Sequence, residues 1–202
     1  VERYSQGVII RSHTLREYNA FLWNLGEKKS LTKLASEYVK RKGSCRILDV
    51  GCGNAEALRE VKQHVGSVVH TMGIDLLPLN DSHMLDEFIQ GDVHGVPFPS
   101  DCDIIVSFRA LHEMDHFATL FPTIANALAP GGRAYLWIRM REENEGSVSF
   151  VGEMNAREEK YVQGLLSLPS DFHGCRILVE PVRMERGTHP YVGGYVVLLM
   201  RP

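Results

Sequence analysis

The segment "RILDVGCGNAEAL", Arg46 to Leu58, limits the fold of this chain more than any other stretch. An apolar run through Ile47 and Leu48 stops at Asp49, two closely spaced glycines follow, and the residues beyond take helical spacing. A strand that ends on a tight turn and re-emerges as a helix is half of a βα unit. Gly51 and Gly53 permit that turn and let backbone amides approach a ligand with no Cβ in the way. The helix that follows directs its N-terminus at the same space.

From Cys45 onward, short apolar runs alternate with longer helix-like stretches, the texture of a parallel sheet covered by helices. The pattern predicts strands at "CRILDV", "SVVHTMGID", "FIQGD", "DIIVSF" and "RAYLWIRM". Helices are predicted near Glu56 to Val65, Ser82 to Glu87 (a short one) and His116 to Leu128. In the tail, "CRILVEPVRM" and "YVVLLMRP" read as an antiparallel pair, preceded over 143–168 by a loop and a helix. Upstream, Thr14 stands three residues before Glu17, Tyr18, Leu22 and Leu25 follow at helical spacing, and Gly26 closes the segment. That is a capping box, an amphipathic helix and a glycine stop. A second helix is predicted from Ser30 to Lys42, with Leu31, Leu34, Ala35, Tyr38 and Val39 on one face and its lysines mostly on a solvated opposite face.

At 202 residues and 44% hydrophobic, the chain has enough apolar material for one sizeable core, so residues 1–202 are expected to form one domain. Within it, 1–44 are expected to be a helical cap and 45–202 the α/β core. A net charge of -3 and a pI near 6.3 exclude bulk attraction to nucleic acid or to an anionic membrane. The first 44 residues are nevertheless basic, with "KKSLTK" and "KRK", which keeps RNA as an alternative partner. No apolar stretch approaches the roughly 18 residues of a membrane span. The four cysteines form no CxxC pair and no His/Cys cluster, so neither a metal site nor a disulfide framework is expected and a reducing, cytoplasmic setting fits.

The ligand of the glycine turn can be narrowed further. A dinucleotide fingerprint needs a third glycine where this chain has Glu56. A carboxylate beside a pyrophosphate is repulsive by roughly a few kcal/mol at low effective dielectric. The arrangement D-x-G-x-G suits a ligand whose near end is zwitterionic instead. With these residues the chain resembles the class I S-adenosylmethionine-dependent methyltransferases, and "LDVGCGNAEAL" is similar to their first motif. The resemblance continues through "GIDL", "GDV", "IIVSFRALHEM" and "ALAPGGRAYL", covering Cys45 to about Met140. It implies a Rossmann-like, doubly wound, mostly parallel seven-stranded sheet with an antiparallel last strand and N-terminal helical additions. One departure is Asn54-Ala55, where many members have a third glycine-like step; alanine is small enough to be accommodated.

The resemblance also implies a site. Asp49, Gly51, Cys52 and Gly53 would face the methionine portion of S-adenosylmethionine, Asp75 with Leu76 the ribose end, and Asp92 with Val93 the adenine. Ser107, Phe108, Arg109, Leu111, His112 and Glu113 would lie near the methyl group and the acceptor, with His112 and Glu113 as candidate catalytic residues. Simpler roles stand beside these: a strand-end Asp caps or shapes a turn, Phe108 belongs to the core, and Arg109 pairs with Glu113. His13, Arg16, Tyr18 and Trp23 are candidates for the acceptor pocket if the N-terminal helices fold over the site. The residues after the fourth strand carry neither the D/N/S-P-P-Y/F element of exocyclic-amine methylation nor a Pro-Cys nucleophile. A small-molecule acceptor is therefore expected, with RNA, a protein side chain, or a catalytically inactive cofactor-binding partner subunit as alternatives.

Overall fold

In the computed structural model, residues 14–24, 27–79, 85–108, 110–111, 114, 117–139, 164, 172–186 and 189–202 are described. The expected loop and helix over 143–168 lie outside them apart from Gly164. Helix α1 (Leu15–Asn24) opens with the expected capping box: the Thr14 amide donates to Glu17 Oε2 at 2.9 Å, and the Glu17 amide donates to Thr14 Oγ1 at 3.4 Å. Gly26, expected to close it, is outside the described residues. Helix α2 (Leu31–Lys42) is capped by Ser30, whose Oγ accepts from the Lys33 amide at 3.1 Å, and stops at Gly43 with φ +83°. Three cations in its last turn, Lys40, Arg41 and Lys42, oppose the negative end of the helix dipole.

The core alternates as the sequence predicts: β1 (Cys45–Val50), α3 (Glu56–Val65), β2 (Val69–Asp75), β3 (Glu87–Gln90), β4 (Cys102–Phe108), α4 (Leu120–Ala127, entered by a 3₁₀ turn at Phe117–Thr119), β5 (Leu128–Arg139), β6 (Arg176–Arg186) and β7 (His189–Met200). They form one seven-stranded sheet in the order β3-β2-β1-β4-β5-β7-β6, in which β7 alone runs opposite to the other six. Period-2 alternation sends the side chains of β1 to two separate cores. Ile47 joins Leu22, Leu31, Leu34, Leu58 and Val106 beneath α1, α2 and α3. Leu48 and Val50 join Met72, Ile105, Phe121, Ile124 and Leu136 beneath α4 on the other face. Helix α2 is thus part of the helical layer on the sheet, and α1 is the N-terminal helix that reaches the carboxyl ends of the strands.

Several boundaries differ from expectation: β2 begins at Val69 rather than Ser67, β3 ends at Gln90 rather than Asp92, β7 begins at His189 rather than Tyr195, and two further shifts have a local cause. Glu87, expected at the end of a short helix, is the first residue of β3, and Leu85 and Asp86 form a bend before it. The bend is held because Asp86 Oδ2 accepts from the Thr71 amide at 2.8 Å and from Thr71 Oγ1 at 3.1 Å. Strand β5 begins at Leu128 rather than Arg133, because Cys102 pairs with Leu128 while Ile104 already pairs with Arg133. "APGG" is accommodated between those pairs as an irregularity of the strand. It is stitched to distant elements: the Gly131 amide donates to the Arg201 carbonyl at 3.0 Å, the Arg201 amide to the Gly132 carbonyl at 3.0 Å, and the Tyr38 hydroxyl to the Gly131 carbonyl at 2.7 Å. A Cβ on Gly132 would come within 2.7 Å of the Cys102 carbonyl oxygen and 2.8 Å of that of Ala129, both backbone atoms. Gly132→Ala is therefore expected to lower unfolding free energy by about 2 to 3 kcal/mol in chemical denaturation, and an unchanged midpoint would show that the bulge yields freely.

Candidate active site

The direction of sheet winding reverses at β1, whose two neighbours are β2 and β4, and ligands of open parallel sheets bind in the crevice at the carboxyl ends of such strands. Here that crevice is bordered by the loop after β1. Gly51 and Gly53 have φ of +77° and +53°, the left-handed region that glycine enters without penalty. A Cβ on Gly51 would collide with the Ala110 Cβ and come within 3.1 Å of Met114 Cε, so the loop lies directly against the segment after β4. Gly73 in β2 has a similar role that its sequence context did not reveal: a Cβ there would meet Cys52 Sγ at 2.7 Å and Leu85 Cδ1 at 2.8 Å.

Ala55 occupies the N-cap of α3 at φ +53°, ψ +27° and is buried. Its size is indeed accommodated, but its backbone conformation carries about 1 kcal/mol of strain that a glycine would not. The amides of Gly51 and Cys52 both donate to the Ile74 carbonyl, at 2.8 and 3.2 Å, and the Ala55 amide donates to the Cys52 carbonyl at 2.8 Å. The Gly53 amide donates to Asp75 Oδ2 at 2.8 Å, while Asp75 Oδ1 accepts from the Leu77 amide at 2.9 Å. Asp75 at the end of β2 therefore fixes the glycine loop and its own following turn, with Leu76 exposed beside it.

Asp49 is buried within β1. Its Oδ2 accepts a 2.6 Å hydrogen bond from the Tyr18 hydroxyl of α1, and its Oδ1 has no hydrogen-bond partner. Burial pushes its carboxyl up to about 7; the Tyr18 hydrogen bond opposes that shift and the charge of Asp75 adds to it. Burial likewise raises the Tyr18 hydroxyl and the Cys52 thiol, the latter with further contributions from Asp49 and Asp75. Cys52 is therefore a neutral thiol, wedged against β2.

The other expected site residues take varied positions. Asp92 is exposed, and its Oδ1 accepts from the His94 amide at 2.9 Å in an Asx turn, while Val93 is buried in the core beneath α4. Ser107 donates its hydroxyl to the Val50 carbonyl at 2.7 Å, tying β4 to β1. Phe108 is surrounded by Tyr18, Phe21 and Trp137, with ring centroids at 5.1, 5.2 and 4.8 Å. Arg16 and Trp23 are exposed on α1. His13, Arg109, His112 and Glu113 lie outside the described residues. The contact that sequence reasoning missed is Tyr18 with Asp49. Its signal was a phenol on the otherwise apolar face of α1, where a polar tip requires a buried partner.

The strand order is that of the Rossmann-like fold found in methyltransferases. Residues 48–136 match the family model described as "Methyltransferase domain", and the methyl donor of that class is S-adenosylmethionine. No curated protein matches the sequence. Among solved structures, the complex between the Haloferax volcanii Trm112 methyltransferase activator and a methyltransferase is 16% identical with TM-score 0.52, over 94% of this chain and 98% of that one. The DszA carbon methyltransferase is 16% identical with TM-score 0.55, over 91% of this chain and 55% of that one. The citrinin polyketide synthase CMeT domain is 15% identical with TM-score 0.54, over 90% and 53%. This chain thus spans about half the length of the last two.

The residues present fit the donor class: a buried carboxylate with an unpartnered oxygen and a second carboxylate at Asp75 flank a loop open to close approach. A stability consequence follows for Asp49. An unfolded aspartate ionises near 3.8, whereas the folded carboxyl keeps its proton to about pH 7. The folded state binds more protons between those values, so this group's contribution to stability is full below the lower one and is lost as pH rises through the upper. Asp49→Asn, neutral at every pH, is expected to show a melting temperature that gains on the wild type from about pH 4 to about pH 7 in a thermal-shift series. A difference independent of pH would show that Asp49 ionises normally.

Proposed function

We propose that this chain is an S-adenosylmethionine-dependent methyltransferase acting on a small molecule. The observation that carries the proposal is the pairing of a glycine loop at the β1/β4 crevice with Asp49 and Asp75, one buried with a free oxygen and one at the neighbouring strand end. In this reading Asp49, Gly51, Cys52 and Gly53 receive the methionine portion, and Asp75 accepts from the ribose hydroxyls. Leu76 lies beside it at the ribose end, and Asp92 and Val93 border the adenine. Ser107 and Phe108 back the far side of the pocket.

When bound, S-adenosylmethionine supplies a methyl carbon already activated by its sulfonium. What the chain must do is align the acceptor with that carbon and exclude water. Phe108, Tyr18, Phe21 and Trp137 make a rigid apolar wall for this, and His112 and Glu113 are the candidates to take a proton from an acceptor that arrives protonated.

Two observations support a small acceptor over RNA. Much of the basic N-terminal segment is already engaged: Lys29 pairs with Glu37 at 2.8 Å, Lys42 with the buried Asp103 at 2.5 Å, and Arg41 lies 4.6 Å from the centre of the Tyr38 ring. Two of the similar folds are carbon methyltransferases or CMeT domains by description. Among the described residues, no helix is long and apolar enough to cross a membrane.

Calorimetric titration of S-adenosylmethionine, S-adenosylhomocysteine and NAD tests the cofactor. Binding of the first two without the third is expected. Asp75→Ala should weaken it roughly 10- to 100-fold, the loss of charge-assisted hydrogen bonds. Tight NAD binding, or indifference to the Asp75 change, would overturn the assignment. Absence of methyl transfer across a small-molecule panel despite cofactor binding would point to a binding module.

A further inference from the structure

The Tyr18 and Asp49 pair joins two elements 31 positions apart in sequence, in a place where a purely structural contact would leave no loose end. Here one carboxylate oxygen is satisfied and the other is not, although the residue is buried. A buried polar atom with no partner is costly unless a ligand completes it. The same α1 residue also holds the site's apolar wall, since its ring sits 5.1 Å from that of Phe108.

We propose that Tyr18 is a positioning residue for the methyl donor: its hydroxyl fixes Asp49 Oδ2 and thereby keeps Oδ1 as the acceptor for the donor's ammonium group, so that seating of α1 and filling of the glycine loop stabilise each other. The proposal rests on the cofactor assignment above and adds to it a residue outside the glycine motifs. The groups that face Asp49 among the described residues are Tyr18 from α1, the Cys52 thiol from the glycine loop and Asp75 from β2, and none of them is a cation. An ammonium supplies a counter-charge there, and the ionised carboxylate holds it far more strongly than the neutral acid does. Tyr18, by donating to that form, favours ionisation, while burial and Asp75 oppose it. Coupling between α1 and the ligand must then be reciprocal.

The experiment is a calorimetric titration of S-adenosylhomocysteine into wild type, Tyr18→Phe and Asp49→Asn from about pH 5.5 to about pH 7.0, where an α-amino group keeps most of its charge. Wild-type affinity should rise by about tenfold per pH unit on the acid side and less steeply as the carboxyl passes half-ionisation near 7. Tyr18→Phe keeps the ring on Phe108 and loses only the hydroxyl; its rise should move to higher pH, so that the loss in affinity is severalfold at about pH 6.5 and shrinks as pH increases. Asp49→Asn should bind weakly with no pH-dependent rise. As a check that does not depend on the variants folding, S-adenosylhomocysteine should slow amide exchange in the α1 residues of wild type.

A Tyr18→Phe loss of equal size at every pH would assign Tyr18 to packing alone and overturn the proposal, as would unchanged exchange in α1 on binding. No binding by wild type at any pH would instead overturn the cofactor assignment itself.

Discussion

Strand β1 lies in the middle of a parallel sheet that is covered on both faces, and this places the same demand on every residue along it. Ile47 and Leu48 meet the demand by entering opposite cores. Asp49 cannot, because burial makes its charge costly and, among the described residues, no cation faces it. The remaining elements around the crevice can be read as responses to that one group. Helix α1 is turned so that its phenol reaches the carboxylate. The chain after β1 turns away through glycines, and Asp75 on the neighbouring strand binds the turn from below. It is at this group that burial becomes costly.

Around this point the structure divides its rigid and its adaptable parts. Phe21 and Trp137 are stacked at 5.6 Å with planes 9° apart, and with Tyr18 and Phe108 they make a wall with little freedom to deform. The far end of the sheet is tied differently, through the buried Asp103, which accepts from Lys42 and from the Arg46 amide at 2.9 Å. Arg133 reaches back to Glu27 at 2.7 Å and fixes the connection between α1 and α2 on β5. These ties lie away from the carboxyl ends of the strands. They hold the helical layer in register without occupying the crevice.

Much of the fold was legible because buried strands are blocks of apolar residues bounded by glycine and aspartate. The limits of β1 and α3 agree with the sequence pattern residue for residue, since Cys45, Asp49, Gly51 and Glu56 each change the local chemistry abruptly. "APGG" misled because it has the composition of a turn, yet bonds from Tyr38 and Arg201 hold it in the sheet. Ala55 was judged by volume, whereas the quantity that matters there is a backbone angle, which no side-chain size reveals. The Tyr18 contact depends on how α1 is rotated over the sheet, a tertiary fact that periodicity narrows to a face but not to a partner. The glycine loop and its acidic residues were visible; the wall of aromatic rings beside them, drawn from α1, β4 and β5, was not.

The strand order has one consequence for how the chain is made. Strand β7 lies between β5 and β6 and is synthesised after both, and β6 pairs with β7 alone, so neither is held in the sheet until residues 189–200 are made. Until they arrive, the β5 edge, carrying Tyr135, Leu136, Trp137 and Ile138, has no partner on that side. An apolar strand edge left open is a template for pairing with another chain. The nascent protein therefore passes through a sticky interval that ends only when the hairpin closes, and chaperone dependence during synthesis should be governed by the last dozen residues of the sheet rather than by the cofactor site.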